Sequence, residues 1–211
     1  MTAIGTKSKI KINLNSIMKK FIVLIVFFTS LTINSLAIEP DIFVQSTVNR
    51  ASKLLSENIS KEAKIKELQL IAKDTVDIKG IGFYTLGAAR KNLNDSEKEK
   101  YTKLFEKYFL KSFASRLAEY TNPEIDVMGK SVLNENYTIV NSLLKATNER
   151  PEIKIDWRIY TKDPNNPLIR DLIIEGLSLA RTQKEEFQSI LNSNDGNIES
   201  LFKTLEKFSN E

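Results

Sequence analysis

The chain has 211 residues, with 31 Lys and Arg, 27 Asp and Glu, and neither cysteine nor histidine. Those two absences exclude cysteine and histidine nucleophiles, histidine general bases and Cys/His zinc sites, so any catalysis would fall to carboxylates, lysine, serine or tyrosine. With no disulfide available, stability must come from packing alone.

In chain order, the first 37 residues stand apart. Lys7, Lys9, Lys11, Lys19 and Lys20 precede or flank the start of an uncharged apolar run, Phe21–Ile33, and Ser35-Leu36-Ala37 follows it. A basic region, an apolar region and small residues at −3 and −1 predict a secretory signal cleaved after Ala37. The apolar run is shorter than the roughly 18 residues of a membrane span. Met18-Lys19-Lys20 is itself a compact signal start, so translation begins at Met1 or Met18. Cleavage removes five lysines and no acid, leaving 26 basic and 27 acidic residues, a net charge of −1. The basic character therefore belongs to the signal, and a nucleic-acid partner loses its main support. The remaining residues, 38–211, suit a single domain.

Apolar spacing predicts helices over Asp41–Ser56 and Glu62–Ile71, the second carrying Ile65, Leu68 and Ile71 on one stripe. Asp74–Gly87 has helical spacing at Ile78, Ile81 and Leu86 but contains Gly80, Gly82 and Gly87, which points to tight packing or a nearby ligand. Asn94-Asp95-Ser96 caps the longest helix, of about 25 residues, with Ser96 and Glu99 at capping-box spacing. Along it Tyr101, Phe105, Phe109, Phe113 and Leu117 recur every fourth residue, the wall of a core or of an apolar pocket.

After Asn122-Pro123 the period becomes 2. Ile125–Lys130, Tyr137–Ala146, Ile153–Tyr160 and Leu168–Glu175 are strand candidates, and their short connectors force an antiparallel meander. In the third, Ile153, Ile155, Trp157 and Ile159 share a face; in the fourth, Ile169, Asp171 and Ile173 oppose Arg170, Leu172 and Ile174. The chain then turns at Gly176, Ser178 is placed to cap a helix over Leu179–Leu191, and a final helix over Ile198–Phe208 follows a break at Asp195-Gly196. Helices, then a sheet, then helices predict an α+β domain in which helices cover one sheet face, with either a filled core or an apolar cavity between the layers.

Several blocks carry a family resemblance. Trp157-Arg158, Asp171, Ile174-Glu175-Gly176-Leu177-Ser178, Thr182-Gln183-Lys184 and Glu186-Phe187, with Leu86-Gly87 and the stretch Lys100–Tyr120, resemble the MlaC-type carriers of the toluene-tolerance or ABC-transporter auxiliary family. The likeness spans nearly all of the chain after the signal. It implies an NTF2-like fold, here with a four-stranded antiparallel sheet and helices enclosing an apolar cavity. It also implies a periplasmic phospholipid carrier with no cofactor, the lipid being cargo. Implied partners are an outer-membrane lipoprotein like MlaA and an inner-membrane ABC transporter with an MlaD-like subunit, approached by a monomer. Trp157 is the site position the resemblance carries over. The apolar faces supply the other lipid-lining candidates: Ile81, Tyr84, Phe109, Phe113, Leu117, Ile139, Ile153, Ile155, Ile159 and Ile173.

Two other readings stay open on sequence. Asp156, Asp171 and Glu175 could be the paired carboxylates of an exported glycoside hydrolase. A hydrophobic groove could instead serve a chaperone-like or structural periplasmic protein. The loop Asp163–Asn166 lacks the spaced ligand set of a calcium site.

Overall fold

The computed structural model describes residues 37–148 and 150–210; the basic and apolar parts of the predicted secretory signal lie outside the described residues. Among the described residues six α-helices flank one sheet: α1 (Pro40–Ser56), α2 (Lys61–Thr75), α3 (Ile78–Thr85), a 3-10 turn (Gly87–Lys91) and α4 (Asp95–Leu117) precede the strands, and α5 (Leu179–Asn192) and α6 (Ile198–Asn210) follow them. The strands are β1 (Ile125–Asn134), β2 (Tyr137–Leu144), β3 (Ile153–Tyr160), β4 (Leu168–Ile174) and β5 (Leu177–Ser178).

Local chemistry sets the helix starts. Ser60 caps α2 by accepting the Ala63 N–H, and Asp77 caps α3 by accepting the Gly80 N–H at 2.8 Å. The second cap divides the predicted segment Asp74–Gly87: α2 runs on to Thr75, Val76 bridges to Ile169, and α3 begins afresh at Ile78. A capping box opens α4 two residues earlier than the spacing predicts. Asn94 accepts from Glu97 N–H at 2.9 Å, and the Glu97 carboxylate takes the Asn94 N–H at 2.8 Å. Glu99, expected in that role, instead pairs with Lys103 at 2.6 Å.

Gly82 answers the question its position raises. A Cβ there would stand 2.8 Å from Cδ1 of Phe105, so α3 and α4 touch backbone to ring. Gly82→Ala is expected to lower stability by about 1–3 kcal/mol, the usual range for overpacking a tight contact, read from chemical denaturation.

The sheet is antiparallel throughout, in the order β1-β2-β3-β4-β5. It corrects the expected fold in two respects. There are five strands rather than four, and the sheet stays open: β1 and β5 are its edges and do not pair with one another, so it does not curl round a cavity as an NTF2-like fold requires. The fifth strand exists because Glu175 and Gly176 both adopt positive φ, at 49° and 83°. Two such residues make the tight hairpin that turns β4 straight back on itself, pairing Ile174 with Leu177.

Helices lie against one face of this open sheet. α1 packs on β1 and β2, α3 and α5 on β4, and α4 runs between α2 and α6. The inward row of β2 is Thr138, Val140, Ser142 and Leu144, and that of β3 is Ile155, Trp157 and Ile159, with Ile153 half-buried at its end. The aromatic row of α4 divides along its length. Tyr101 and Phe105 are sealed in the core, the Tyr101 hydroxyl hydrogen-bonded with Thr85 Oγ1 at 2.8 Å and within 3.1 Å of the Gly82 carbonyl, while Phe109 and Phe113 are only half-buried. A four-residue step turns 40° past a full helical turn, so a strict i+4 row winds away from one neighbour and toward the next.

Candidate functional site

Two adjoining apolar cavities occupy the space between the inner sheet face and the helices. The outer one, about 170 Å³, is floored by Ile81, Phe109, Trp157, Ile169 and Leu172. The deeper one, about 140 Å³, lies among Val48, Leu55, Leu68 and Ile71 of α1 and α2, Leu117 of α4, and Ile155 and Ile174 of the sheet. Phe113 and Trp157 border both, together with Val76, Ile169 and Leu172. The deeper cavity is the more uniformly apolar. The outer one ends at a polar rim that includes Ser112, Arg116, Thr182, Gln183 and Glu186.

Trp157 is held as a rigid part of this wall. Its Nε1–H donates to Ser142 Oγ at 2.8 Å, and the Ser142 hydroxyl donates to the Ile155 carbonyl at 3.0 Å. A buried indole N–H needs such a partner, which accounts for a buried serine on an otherwise apolar strand face. Tyr108 spans from α4 to α5, donating to Gln183 Oε1 at 2.7 Å. Burial, and then the charge of Glu186, push its hydroxyl pKa up, so it remains a donor.

The candidates named from sequence fall into three groups. Ile81, Phe109, Phe113, Leu117, Ile155 and Trp157 come together around the two cavities. Ile153 and Ile159 share the inward face but pack into the core without lining either cavity. The remaining three lie elsewhere. Tyr84 is 40% exposed, beneath the Lys184 ammonium in a polar surface groove. Ile139 sits opposite Arg158 on the outer sheet face, because the inward residues of β2 are the even-numbered ones. Ile173 pairs with Asp156 on that outer face as well.

The fourth strand departs from simple alternation for a physical reason. Arg158 pairs with Asp171 and Ile159 with Ile169, leaving Arg170 as an extra residue in β4. A one-residue bulge inverts every side chain beyond it. Ile169 therefore faces inward before the bulge, while Leu172 and Ile174 face inward after it and the candidate Ile173 faces outward. The α1 and α2 lining residues were legible as helix stripes, but nothing in their spacing says that the stripes meet a cavity.

The carboxylates a hydrolase would need are bound into the framework. Asp171 accepts the Ser178 hydroxyl at 2.6 Å and the Ala180 N–H at 3.0 Å, tying β4 to the start of α5, with Arg158 Nη1 3.6 Å away. Ser178 in turn caps α5 by accepting the Arg181 N–H, as its position predicts. Asp156 accepts from Asn141 at 2.8 Å, and Glu175 accepts the Lys154 N–H. Among the described residues no three acidic, histidine or cysteine side chains converge as a metal site. Asp171→Ala is expected to cost about 2–3 kcal/mol, since it strands a half-buried hydroxyl and an N–H that share one buried, charged acceptor; a fall in melting temperature with an unchanged far-UV spectrum is the readout.

Comparison with curated protein sequences finds no significant match. Among solved structures, the fold is similar to the phospholipid-binding protein of Ralstonia solanacearum determined in complex with a phospholipid. The TM-score is 0.68 at 17% identity, over 82% of this chain and 97% of that one, a likeness of fold. The family model described as MlaC protein matches residues 45–207, from within α1 to within α6. The chain belongs to the MlaC protein family.

Proposed function

We propose that this chain is a non-catalytic phospholipid carrier that holds acyl chains between its sheet and helices with the headgroup at the polar rim. The observation that carries this reading is the pair of apolar cavities meeting at Phe113 and Trp157 and ending at one polar mouth. The same arrangement suits membership of the MlaC family and the phospholipid found with the Ralstonia protein.

The energetics fit a shuttle. Two acyl chains bring about 30 methylenes, each worth roughly 0.8 kcal/mol to keep from water. A lipid in a bilayer is already out of water, so that gross figure of about 24 kcal/mol is not an affinity. The protein has only to offer surroundings comparable to the membrane. Small-molecule pockets run to roughly 300–1,000 Å³, and each cavity here is smaller. Loading therefore joins the two, with the helix layer giving way at Phe113.

The setting follows from the same reading. A signal spanning residues 1–37 takes the chain to the periplasm, and cleavage after Ala37 leaves Ile38 first. The backbone nitrogen of Ile38 already donates to the Pro164 carbonyl at 2.8 Å, and a new terminal ammonium there keeps that bond. The monomeric carrier then exchanges lipid with an outer-membrane lipoprotein like MlaA and an MlaD-like subunit of an inner-membrane ABC transporter.

Transfer of a fluorescent phospholipid between two vesicle populations tests the carrier role. Ala180 lines the outer cavity, and its backbone N–H bond to Asp171 survives substitution. Ala180→Trp fills that cavity with an indole. Transfer is expected to fall at least about tenfold, the equivalent of 1.4 kcal/mol, while the protein keeps its fold by circular dichroism. Undiminished transfer by the folded variant would place the lipid elsewhere.

A further inference from the structure

Arg116, in the last turn of α4, and Glu186, in the second turn of α5, both line the mouth of the outer cavity. The other charges at that cavity are occupied. Arg170 is held by Asp77, with contacts of 2.7 and 2.6 Å, and donates to the Tyr137 hydroxyl at 2.7 Å. Asp171 is taken by Ser178, Ala180 and Arg158. Arg116 and Glu186 are exposed, and neither forms an ion pair among the described residues, with each other or with anything else. Glu186 is not free to wander. Tyr108 donates to Gln183, and Gln183 Nε2 donates to Glu186 at 2.9 Å, so a relay from the cavity wall holds the carboxylate at the rim. Arg116 and Glu186 thus share the mouth with Tyr108 and Gln183 as its two charges of opposite sign.

Resting on the carrier reading, we infer that this mouth selects a zwitterionic, amine-bearing phospholipid, with Arg116 receiving the phosphate and Glu186 the ammonium. A guanidinium offers a planar fork of donors matched to phosphate oxygens. A carboxylate beside it favours a headgroup carrying a compensating cation. An anionic headgroup gains the first contact and meets repulsion at the second. Selection of this kind works by an unfavourable element as much as by an attractive one. Because both side chains are exposed, the effect is limited and salt-dependent.

The test uses the chain from Ile38 onward, incubated with vesicles of equimolar phosphatidylethanolamine and phosphatidylglycerol bearing the same acyl chains. The protein is then repurified and its lipid measured by mass spectrometry. The unsubstituted protein is expected to take phosphatidylethanolamine about three- to fivefold over phosphatidylglycerol, the range of exposed charge contacts, and less selectively at high salt. Glu186→Gln should bring the ratio to within about twofold of unity while total lipid stays high. Arg116→Gln should lower the uptake of both lipids and keep the preference. Melting temperatures should not move, since neither side chain is buried. Equal loading of the two lipids by the unsubstituted protein, or a preference that survives Glu186→Gln, would overturn the headgroup assignment and leave the carrier reading standing. Absence of lipid in every sample would overturn both.

Discussion

Trp157→Ala is expected to lower the stability of the domain by about 3–5 kcal/mol, the range for removing a buried large aromatic side chain. For a chain of this size that is a fall of roughly 6–20 °C in melting temperature. Two losses combine. The indole borders both cavities, so its removal fuses them and strips contacts from Phe113, Ile169 and Leu172, and Ser142 loses the N–H it accepts. Trp157→Phe separates them, because it keeps most of the volume and loses only the hydrogen bond; its cost is expected near 1 kcal/mol. Phospholipid should restore part of the Trp157→Ala deficit, since a ligand that binds only the folded state stabilises it and acyl methylenes can occupy the fused space. Melting scans of both variants with and without phospholipid vesicles check the order of effects. A Trp157→Ala protein as stable as the parent would contradict the role assigned to the indole.

Ile155→Glu should be the more damaging change. Ile155 lies on the inner face between Ser142 and Ile174, nearly buried, against a deeper cavity of about 140 Å³ with almost wholly apolar walls. A water in the liquid takes about 30 Å³, so that space holds too few waters to hydrate a carboxylate, and among the described residues no cation lines it. Burying an unpaired charge costs several kcal/mol, enough to unfold a domain of ordinary stability. Ile139→Glu is the matched control. Ile139 is on the neighbouring strand and the opposite face, directly across from Arg158. The new carboxylate would be hydrated and beside a cation, so stability should change by less than about 1 kcal/mol. Circular dichroism on the two proteins decides the facing of β2 and β3 together. The reverse order would mean that the register is wrong.

That control rests on a distinction the sequence did not make. Ile139 and Ile155 both look like strand residues fit for a core. In β3 the alternation of Ile153, Ile155, Trp157 and Ile159 with charged and polar residues declares the buried face, and the structure agrees. In β2 both faces carry apolar and polar residues, Ile139 and Leu143 on one and Val140 and Leu144 on the other, so parity alone cannot choose. Pairing Val140 with Trp157 chooses it, and pairing is a property of two strands. The bulge at Arg170 is hidden in the same way, because β4 by itself, with Arg170 and Asp171 adjacent and Leu172, Ile173 and Ile174 in a row, declares no buried face. The Ser178 cap was legible since the serine, the helix pattern and the preceding glycine turn lie within a few residues of one another. The two-residue strand β5 was not, for its only mark is the pair of positive φ angles at Glu175 and Gly176. The division of the α4 row between core and cavity depends on what packs beside each turn, and spacing within one helix carries no such information.

The most direct test of the carrier reading is mass spectrometry of an organic extract from the purified protein, residues 38–211, after incubation with phospholipid vesicles and separation from them. One diacyl phospholipid per folded chain, reduced at least severalfold in the Ala180→Trp protein, is the expected result. A cooperatively folded protein that emerges from the same treatment without phospholipid would contradict it.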